Sequence, residues 1–372
     1  MAAATCGGSP HVSPQVSTVL VSHDGARWLP QALDALAAQT RLPDALVAVD
    51  TASTDDSVRL LTDVLGADAV QSAPRDTGFG AAVARGIDAL DAAAPAGSPA
   101  PESSWVWLLH DDCAPAPDAL ETLLRAVEDQ PEIGVVGPKV REWPSLRRLL
   151  EVGVTITGTG RRETGLEPGE PDQGQHDSTS DVLAVGTAGL LVRRSAWDAV
   201  GGFDPRLPLY GDDLDLGWRV NRAGMRVRVV PDALVFHAEA SARRLRTPGA
   251  VSHSPRREQR RAALFVLLAN CRGLALPWQY LRLLVGSLLR ALGLLALKAP
   301  LDAWDELAGA AATLGRPWRL VSARYRRRRT ARVGPGAVRR LLPSALQPYR
   351  DGVAAVLEVT GGLVDFSSRR SF

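Results

Sequence analysis

The chain has 372 residues, 45% hydrophobic and 23% charged, which is enough apolar mass for a real core and excludes wholesale disorder and fibrous repeats. Three widely spread cysteines (Cys6, Cys113 and Cys271) can form neither a disulfide framework nor a thiolate zinc site, which fits a reducing compartment. The net charge of +2 conceals an asymmetry: residues 1–240 hold 19 basic and 34 acidic residues, whereas residues 241–372 hold 24 and 7, so a boundary with different partners on each side is expected near residue 240.

Residues 1–15 show neither a basic n-region nor an apolar h-region, so no secretory signal is read there and a flexible N-terminus is expected. Ser17 to Ser22 is a short apolar run rich in β-formers. Trp28 to Gln39 carries Trp28, Leu29, Ala32, Leu33 and Leu36 at helical spacing. Ala45 to Val49 is a second buried-strand run, and the capping types from Ser53 to Ser57 precede the periodic Val58, Leu61, Val64 and Leu65. A weaker strand near Ala69 and Val70 follows, then a helix from about Gly80 to Leu90 and an exposed loop rich in Ala, Pro, Gly and Ser over 92–104. The strand Trp105 to Leu109, a helix over Asp118 to Val127 and the strand Ile133 to Val136 come next. Short strands alternating with helices predict an α/β domain whose mostly parallel sheet is covered on both faces. Gly158 to Ser180 is polar and glycine-rich, as in a mobile loop. Val182 to Arg193 is apolar but interrupted by small residues, as where backbone approaches a ligand. A helix after Tyr210 should run to about Ala223 and stop at Gly224. Val227 to Val230 and Ala233 to Phe236 read as two strands split by Pro231.

In parallel sheets of this kind, ligands sit outside the carboxyl ends of the strands. Three such ends are polar here: Ser22-His23-Asp24, Asp50-Thr51 and His110-Asp111-Asp112. Converging on one edge they would suit a nucleotide and a metal, although helix capping accounts for any one of them alone.

Five elements in order then resemble the family 2 glycosyltransferases, GT-A-fold enzymes that use nucleotide-diphosphate sugars. They are Thr18-Val-Leu-Val-Ser-His-Asp-Gly25, Val47-Ala-Val-Asp-Thr-Ala-Ser-Thr-Asp55, Thr77-Gly-Phe-Gly-Ala-Ala-Val-Ala-Arg-Gly86, Leu108-Leu-His-Asp-Asp-Cys-Ala-Pro115, and Gly211-Asp-Asp-Leu-Asp-Leu-Gly-Trp-Arg219 with Pro231 and His237. The resemblance implies a GT-A-like domain over 16–241. It implies a donor site from Ser22, Asp24, Asp50, Thr51, Ser53, Gly78, Arg85 and Asp111. Asp112, His237 and His110 would hold a divalent metal, Mn²⁺ or Mg²⁺. Gly186, Thr187, Asp212 and Trp218 would face the acceptor, and Asp213 would be the general base of an inverting displacement. The chain departs from the family pattern at His110, where Asp or Asn is usual, at Thr51, at Val83 and Ala84, and at Asp212, which is one methylene shorter than the usual Glu. His110 suits Mn²⁺ better than Mg²⁺, because the harder ion prefers carboxylate oxygen. Asp213 opens a helix whose free N–H groups lower its basicity, while Asp212 and Asp215 crowd it and raise it. Asp215, roughly 200° further around the helix than Asp213, should point elsewhere and order the helix or a neighbouring arginine.

Ala262 to Pro300 is strongly apolar, but Arg272, Arg282, Arg290 and Lys298 interrupt it, so no 18-residue span is free of charge. Residues 256–330 could form interfacial helices on an anionic membrane, with arginines snorkelling to headgroups, or a helical subdomain buried against the catalytic core. The cluster Arg324 and Arg326 to Arg329 favours the membrane surface. Only Trp318 and Tyr325 interleave with these cations, so no nucleic-acid partner is expected. Residues 331–372 form a tail of unassigned structure. The full expectation is a GT-A-like α/β domain followed by an all-α C-terminal extension. It would act as a metal-dependent inverting glycosyltransferase at the cytoplasmic side of the cell membrane, peripheral or weakly integral. It would move sugar from a UDP- or dTDP-type donor to a lipid-linked or cell-envelope glycan acceptor. A non-catalytic nucleotide-sugar-binding or membrane scaffold module of the same fold is the alternative that His110 and Thr51 keep open. A nucleotidyltransferase ranks lower, because Ser22-His-Asp-Gly25 is not a basic glycine-rich loop.

Overall fold

The computed structural model describes residues 14–95, 102–243, 245, 246, 249 and 253–344. The expectations for most of the N-terminal segment, for part of the 92–104 loop and for the tail beyond residue 344 lie outside the described residues. The chain opens with β1 (Gln15–Ser22), α1 (Leu29–Ala37), β2 (Ala45–Asp50), α2 (Ser57–Leu65), β3 (Val70–Ser72) and α3 (Phe79–Ala93). It continues with β4 (Ser104–His110), β5 (Cys113–Pro115), α4 (Ala119–Arg125), β6 (Ile133–Glu142), β7 (Leu149–Glu151), β8 (Thr155–Ile156), β9 (Arg162–Glu163) and β10 (Ser180–Asp181). Then come β11 (Leu191–Arg193), α5 (Arg194–Val200), α6 (Asp212–Arg222), β12 (Arg226–His237), α7 (Pro255–Asn270), α8 (Leu276–Ala296), α9 (Pro300–Leu314) and α10 (Pro317–Thr330).

The main sheet runs β10-β12-β6-β11-β4-β1-β2-β3, with β5 on β12 and β7 on β6. Its half containing β4, β1, β2 and β3 is parallel, β6 and β12 are parallel to each other, and β11 joins the halves antiparallel to both neighbours. Alternation along the strands feeds two cores. Val19, Val21, Val47 and Val49 face α3, α5 and α6 through Val83, Ile87, Trp197 and Leu216. Leu20, Ala48, Trp107 and Leu109 face α1, α2 and α4 through Leu33, Leu61 and Leu120. Gly86 lets α3 approach β1 closely, since a Cβ there would lie 2.6 Å from Val19.

Two strands differ from the sequence reading. β6 runs through Pro138 to Glu142, and β12 is one strand rather than two. The register shifts between Val230 and Leu234, so Pro231 lies in a bulge where a missing N–H costs no ladder hydrogen bond. The glycine-rich 158–180 segment is also more tied down than expected. Its Asp172 meets Lys139 at 3.1 Å with both side chains 3% exposed, and Arg141 closes on the same carboxylate.

The C-terminal helices differ in how far they are covered. α7 is a core helix: Leu264 to Ala269 pack in one cluster with Leu183, Leu207, Leu214 and Trp218, so this helix covers the inner face of α6. α8 exposes Trp278, Leu281, Leu288, Leu289, Leu292 and Leu295. Among the described residues one helix, over Gly273–Ala296, is long and apolar enough to cross a membrane, and only 17% of its apolar window is buried.

Candidate active site

The site arises from strand register. Ser22 of β1 stands opposite Asp50 of β2, and Val21 stands opposite His110 of β4, so three polar strand ends leave the sheet at one level. The chain turns sharply there, and Asp24 and Ala52 adopt left-handed backbone with φ of 47° and 50°. Hydrogen bonds stitch the ends together. The backbone N–H of His23 donates to Asp111 (2.8 Å), His23 Nδ1 lies 2.8 Å from Thr51 Oγ1, and the N–H of Asp24 donates to Ser53 Oγ (2.8 Å). Asp50 accepts from the Ser53 N–H (2.9 Å), and Asp24 pairs with Arg75. Gly25 is obligatory, because a Cβ there would fall 2.0 Å from the Asp111 carboxylate.

Above these ends opens a cavity of about 210 Å³, lined among others by His23, Thr51, Phe79, His110, Asp212 and His237. β12 runs beside β5, which registers His237 against Cys113 and brings its ring over the His110-Asp111-Asp112 corner. His237 Nε2 lies 3.2 Å from Asp112 Oδ1, and His110 Nδ1 lies 4.0 Å from the same oxygen. One ligand atom from each of these three residues lies within 4.8 Å of the others. Burial, aided by the His237 charge, pushes the His110 imidazole down to about 3 and keeps it neutral, the form that binds a metal. Burial opposes the charged forms of His237 and Asp112. Their mutual attraction outweighs it, raising the histidine and lowering the carboxylate.

The predicted donor and acceptor residues divide into three groups. Thr51, Asp111, Thr187 and Asp212 line the cavity, and Thr187 Oγ1 lies 2.9 Å from His110 Nε2. Ser22, Asp24, Asp50 and Ser53 lie at the strand ends, forming the framework beneath it. Gly78, Gly186, Arg85 and Trp218 do not line it, although Thr77, Phe79 and Thr187 beside the two glycines do. Gly78 faces Pro208, where a Cβ would lie 2.4 Å from the carbonyl oxygen, and Gly186 donates its N–H to Glu151. Arg85 is exposed on α3, and Trp218 is 5% exposed beneath α7.

The Asp212–Asp213 pair is divided by its surroundings, and Asp212 rather than the expected base Asp213 lines the cavity. Gly211 caps α6 in left-handed backbone (φ 72°) and turns the first carboxyl, Asp212, onto the cavity wall. Asp213 is engaged elsewhere: Oδ1 accepts from the N–H of Leu214 (2.7 Å), and Oδ2 accepts from Arg162 (2.9 Å), which also holds Glu151 (2.6 Å). Burial, then the neighbouring Asp213 charge, pushes Asp212 up to about 8. A carboxyl titrating near neutral pH is matched to proton transfer. Helical spacing alone did not reveal which of two adjacent carboxyls an arginine from a β-hairpin would engage.

Sequence reasoning also missed Arg246. Its guanidinium lies 2.6 Å from Asp111 and 3.3 Å from Asp112, donates to the His23 carbonyl (2.8 Å), and stacks on Trp28. It lies in a polar stretch after β12 that carries no periodic signal. Only its position just inside the positively charged half pointed to it.

A family profile described as "Glycosyltransferase like family 2" matches residues 14–260. N-acetylglucosaminyl-diphospho-decaprenol L-rhamnosyltransferase of Mycobacterium tuberculosis (strain ATCC 25618 / H37Rv) is 31% identical over 249 residues, covering 60% of this chain and 75% of that protein. Galactofuranosyltransferase GlfT1 of the same strain is 33% identical over 239 residues, covering 61% and 71%. The solved S. aureus TarS 1-349 in complex with UDP-GlcNAc is 13% identical with a TM-score of 0.49, covering 91% of this chain and 92% of that one. Matched by the profile over well more than half its length, with the polar strand ends and the α6 carboxylates inside the matched region, this chain belongs to glycosyltransferase-like family 2 and is a glycosyltransferase.

Proposed function

We propose that this enzyme moves a sugar, with inversion at the anomeric carbon, from a UDP- or dTDP-type donor to a lipid-linked or cell-envelope glycan acceptor at the cytoplasmic face of a membrane. The observation that carries the reading is one cavity with opposed chemistry on its walls. The His110, Asp112 and His237 donor set lies at the strand ends, and the Asp212 carboxyl lies at the start of α6. The mycobacterial relatives support the acceptor class, since one is named as a transferase onto a diphospho-decaprenol-linked sugar.

His110, Asp112 and His237 fit a divalent ion that takes imidazole and carboxylate together, Mn²⁺ more readily than Mg²⁺. Such an ion, when bound, supplies Lewis-acid stabilisation to a leaving diphosphate. The residues of the chain do the rest. Arg246 and Arg75 provide positive charge beside the strand-end carboxylates, where a diphosphate would bind. Asp212, cavity-facing and raised in pKa, takes the proton of the attacking acceptor hydroxyl. A base opposite the leaving group gives direct displacement, hence inversion. The test is a panel of nucleotide sugars with isolated lipid-linked acceptors, reading product by mass spectrometry and anomeric configuration by NMR. Retention of configuration, or no transfer from any nucleotide sugar, would sink the reading.

Asp112→Asn should weaken Mn²⁺ binding at least tenfold by calorimetry, because a carboxylate ligand becomes a neutral amide, while the amide oxygen can still accept the Ala240 N–H now bonded to Asp112 (2.8 Å). Unchanged Mn²⁺ affinity would remove the histidine–carboxylate cluster from the proposal.

The exposed apolar stripe of α8 and the exposed Arg328 and Arg329 in the last turn of α10 support attachment to an anionic surface. The protein should therefore sediment with phosphatidylglycerol vesicles, less so as salt rises. Equal binding to phosphatidylcholine vesicles at all salt concentrations would exclude the electrostatic contribution.

A further inference from the structure

A second cavity, of about 220 Å³, lies between the C-terminal half of α6, the end of α7 and α10. It shares no lining residue with the first. Six arginines line it: Arg219, Arg222, Arg272, Arg324, Arg327 and Arg328. Among the described residues two acidic groups pair with them. Asp215 lies 2.6 Å from both Arg219 and Arg327, and Asp204 lies 3.0 Å from Arg327. Arg222, Arg272, Arg324 and Arg328 have no ion pair among the described residues, so the cavity carries surplus positive charge.

Several of the guanidinium nitrogens there are buried and unsatisfied. Nη2 of Arg219, Nη1 of Arg222 and Nε of Arg327 are shielded from solvent and have no hydrogen-bond partner among the described residues. Arg219 is 6% and Arg327 9% exposed, Arg222 and Arg324 are half-buried, and Arg272 and Arg328 are exposed. A buried donor without an acceptor is destabilising, and this surplus of buried donors and of positive charge beside one cavity favours an anion within it. Burial also pushes the Arg222 guanidinium below its ordinary value, as it would for a cation lacking a counter-charge. The rim accommodates the side chains. At Gly273 an added Cβ would lie 3.0 Å from Arg328 Nη2, so a larger residue would crowd that guanidinium.

We propose that this arginine-lined cavity is a binding site for a phosphate-type anion, either a lipid phosphate headgroup or free phosphate. Planar guanidinium forks match tetrahedral oxyanions two oxygens at a time, and guanidinium-bearing side chains from α6, from α10 and from the turn after α7 line this one cavity. Leu274, fully exposed beside the rim, begins the apolar stretch that continues into α8, so a bound headgroup would have its acyl chains beside that stripe. α6 spans both cavities, with Asp212 at its start on one and Arg219 and Arg222 near its end on the other. The proposal does not depend on the sugar-transfer reading.

The test is calorimetric titration of the full chain at low salt with inorganic phosphate and, separately, with monomeric dihexanoyl phosphatidic acid. One saturable site is expected for at least one titrant, weakened about tenfold in Arg222→Gln and largely kept in Arg222→Lys, since one charge-assisted hydrogen bond is at stake. Tight lipid with weak phosphate binding identifies a headgroup site, and comparable binding identifies a free-phosphate site. Arg328→Gln, in a side chain with no ion pair, repeats the measurement should Arg222→Gln unfold by circular dichroism. No saturable binding of either titrant, or affinity unchanged in the folded glutamine variant, overturns the proposal.

Discussion

Asp212→Asn is expected to lower kcat by about 10²- to 10⁴-fold, with donor affinity nearly unchanged, because a general base assists only the transfer step. The carboxyl lines the cavity at the start of α6, and burial with the adjacent Asp213 charge pushes it up to about 8. The base acts when deprotonated, so kcat/KM of the parent should rise with pH and level off above about 8, and the variant should lose that limb. Stability should run the other way. A carboxyl whose folded pKa exceeds its unfolded value of 3.8 holds its proton longer in the folded chain. Folding stability therefore falls as pH climbs from 3.8 towards 8. The asparagine variant, with nothing to ionise, should gain melting temperature over the parent at pH 8 and much less at pH 5. Asp213→Asn is the companion measurement. Its carboxylate is bound to Arg162, so the expected loss is smaller and shared between kcat and KM. Should Asp213→Asn be dead while Asp212→Asn turns over normally, the base is Asp213, and Arg162 must leave it during the reaction.

Asp215→Asn should cost about 3–5 kcal/mol of stability, the usual penalty for leaving buried cations without their counter-ion. Asp215 is fully buried. Oδ2 accepts from Arg219 on the same helix (2.6 Å), and Oδ1 accepts from Arg327 of α10 (2.6 Å) and from Asn270 of α7 (2.9 Å). This carboxylate therefore joins the α/β domain to the C-terminal helices. Burial would raise its pKa, but the Arg219 and Arg327 charges outweigh burial and hold it at about 2. A depressed carboxylate stabilises above its unfolded pKa of 3.8, and that contribution should be lost as pH falls through about 2. The variant should melt roughly 10 °C lower at neutral pH and show a smaller acid dependence. A melting temperature within a degree of the parent would mean that the Asp215 carboxylate is not what fastens α7 and α10 to α6.

Much of the fold was legible because it rests on local patterns. The runs Ser17 to Ser22, Ala45 to Val49 and Trp105 to Leu109 became β1, β2 and β4, since short β-rich apolar runs between amphipathic helices have few other ways to be buried. Errors occurred where a local signal was overridden at a distance. Pro231 reads as a strand break, yet a register shift against β6 absorbs it. The apolar residues of α7 and α8 look alike in sequence, but those of α7 are covered by Leu214 and Trp218, whereas α8 packs one face and leaves an apolar stripe exposed. The same division holds at the two cavities. The sequence by itself determined the family, the α/β order and the polar strand ends, all properties of residues close together in the chain. Only the tertiary structure decided that Asp212 rather than Asp213 lines the cavity, that Arg246 closes on Asp111, and that six arginines enclose a second cavity. Each of these depends on side chains that meet from well-separated parts of the chain, and neither periodicity nor spacing encodes such meetings.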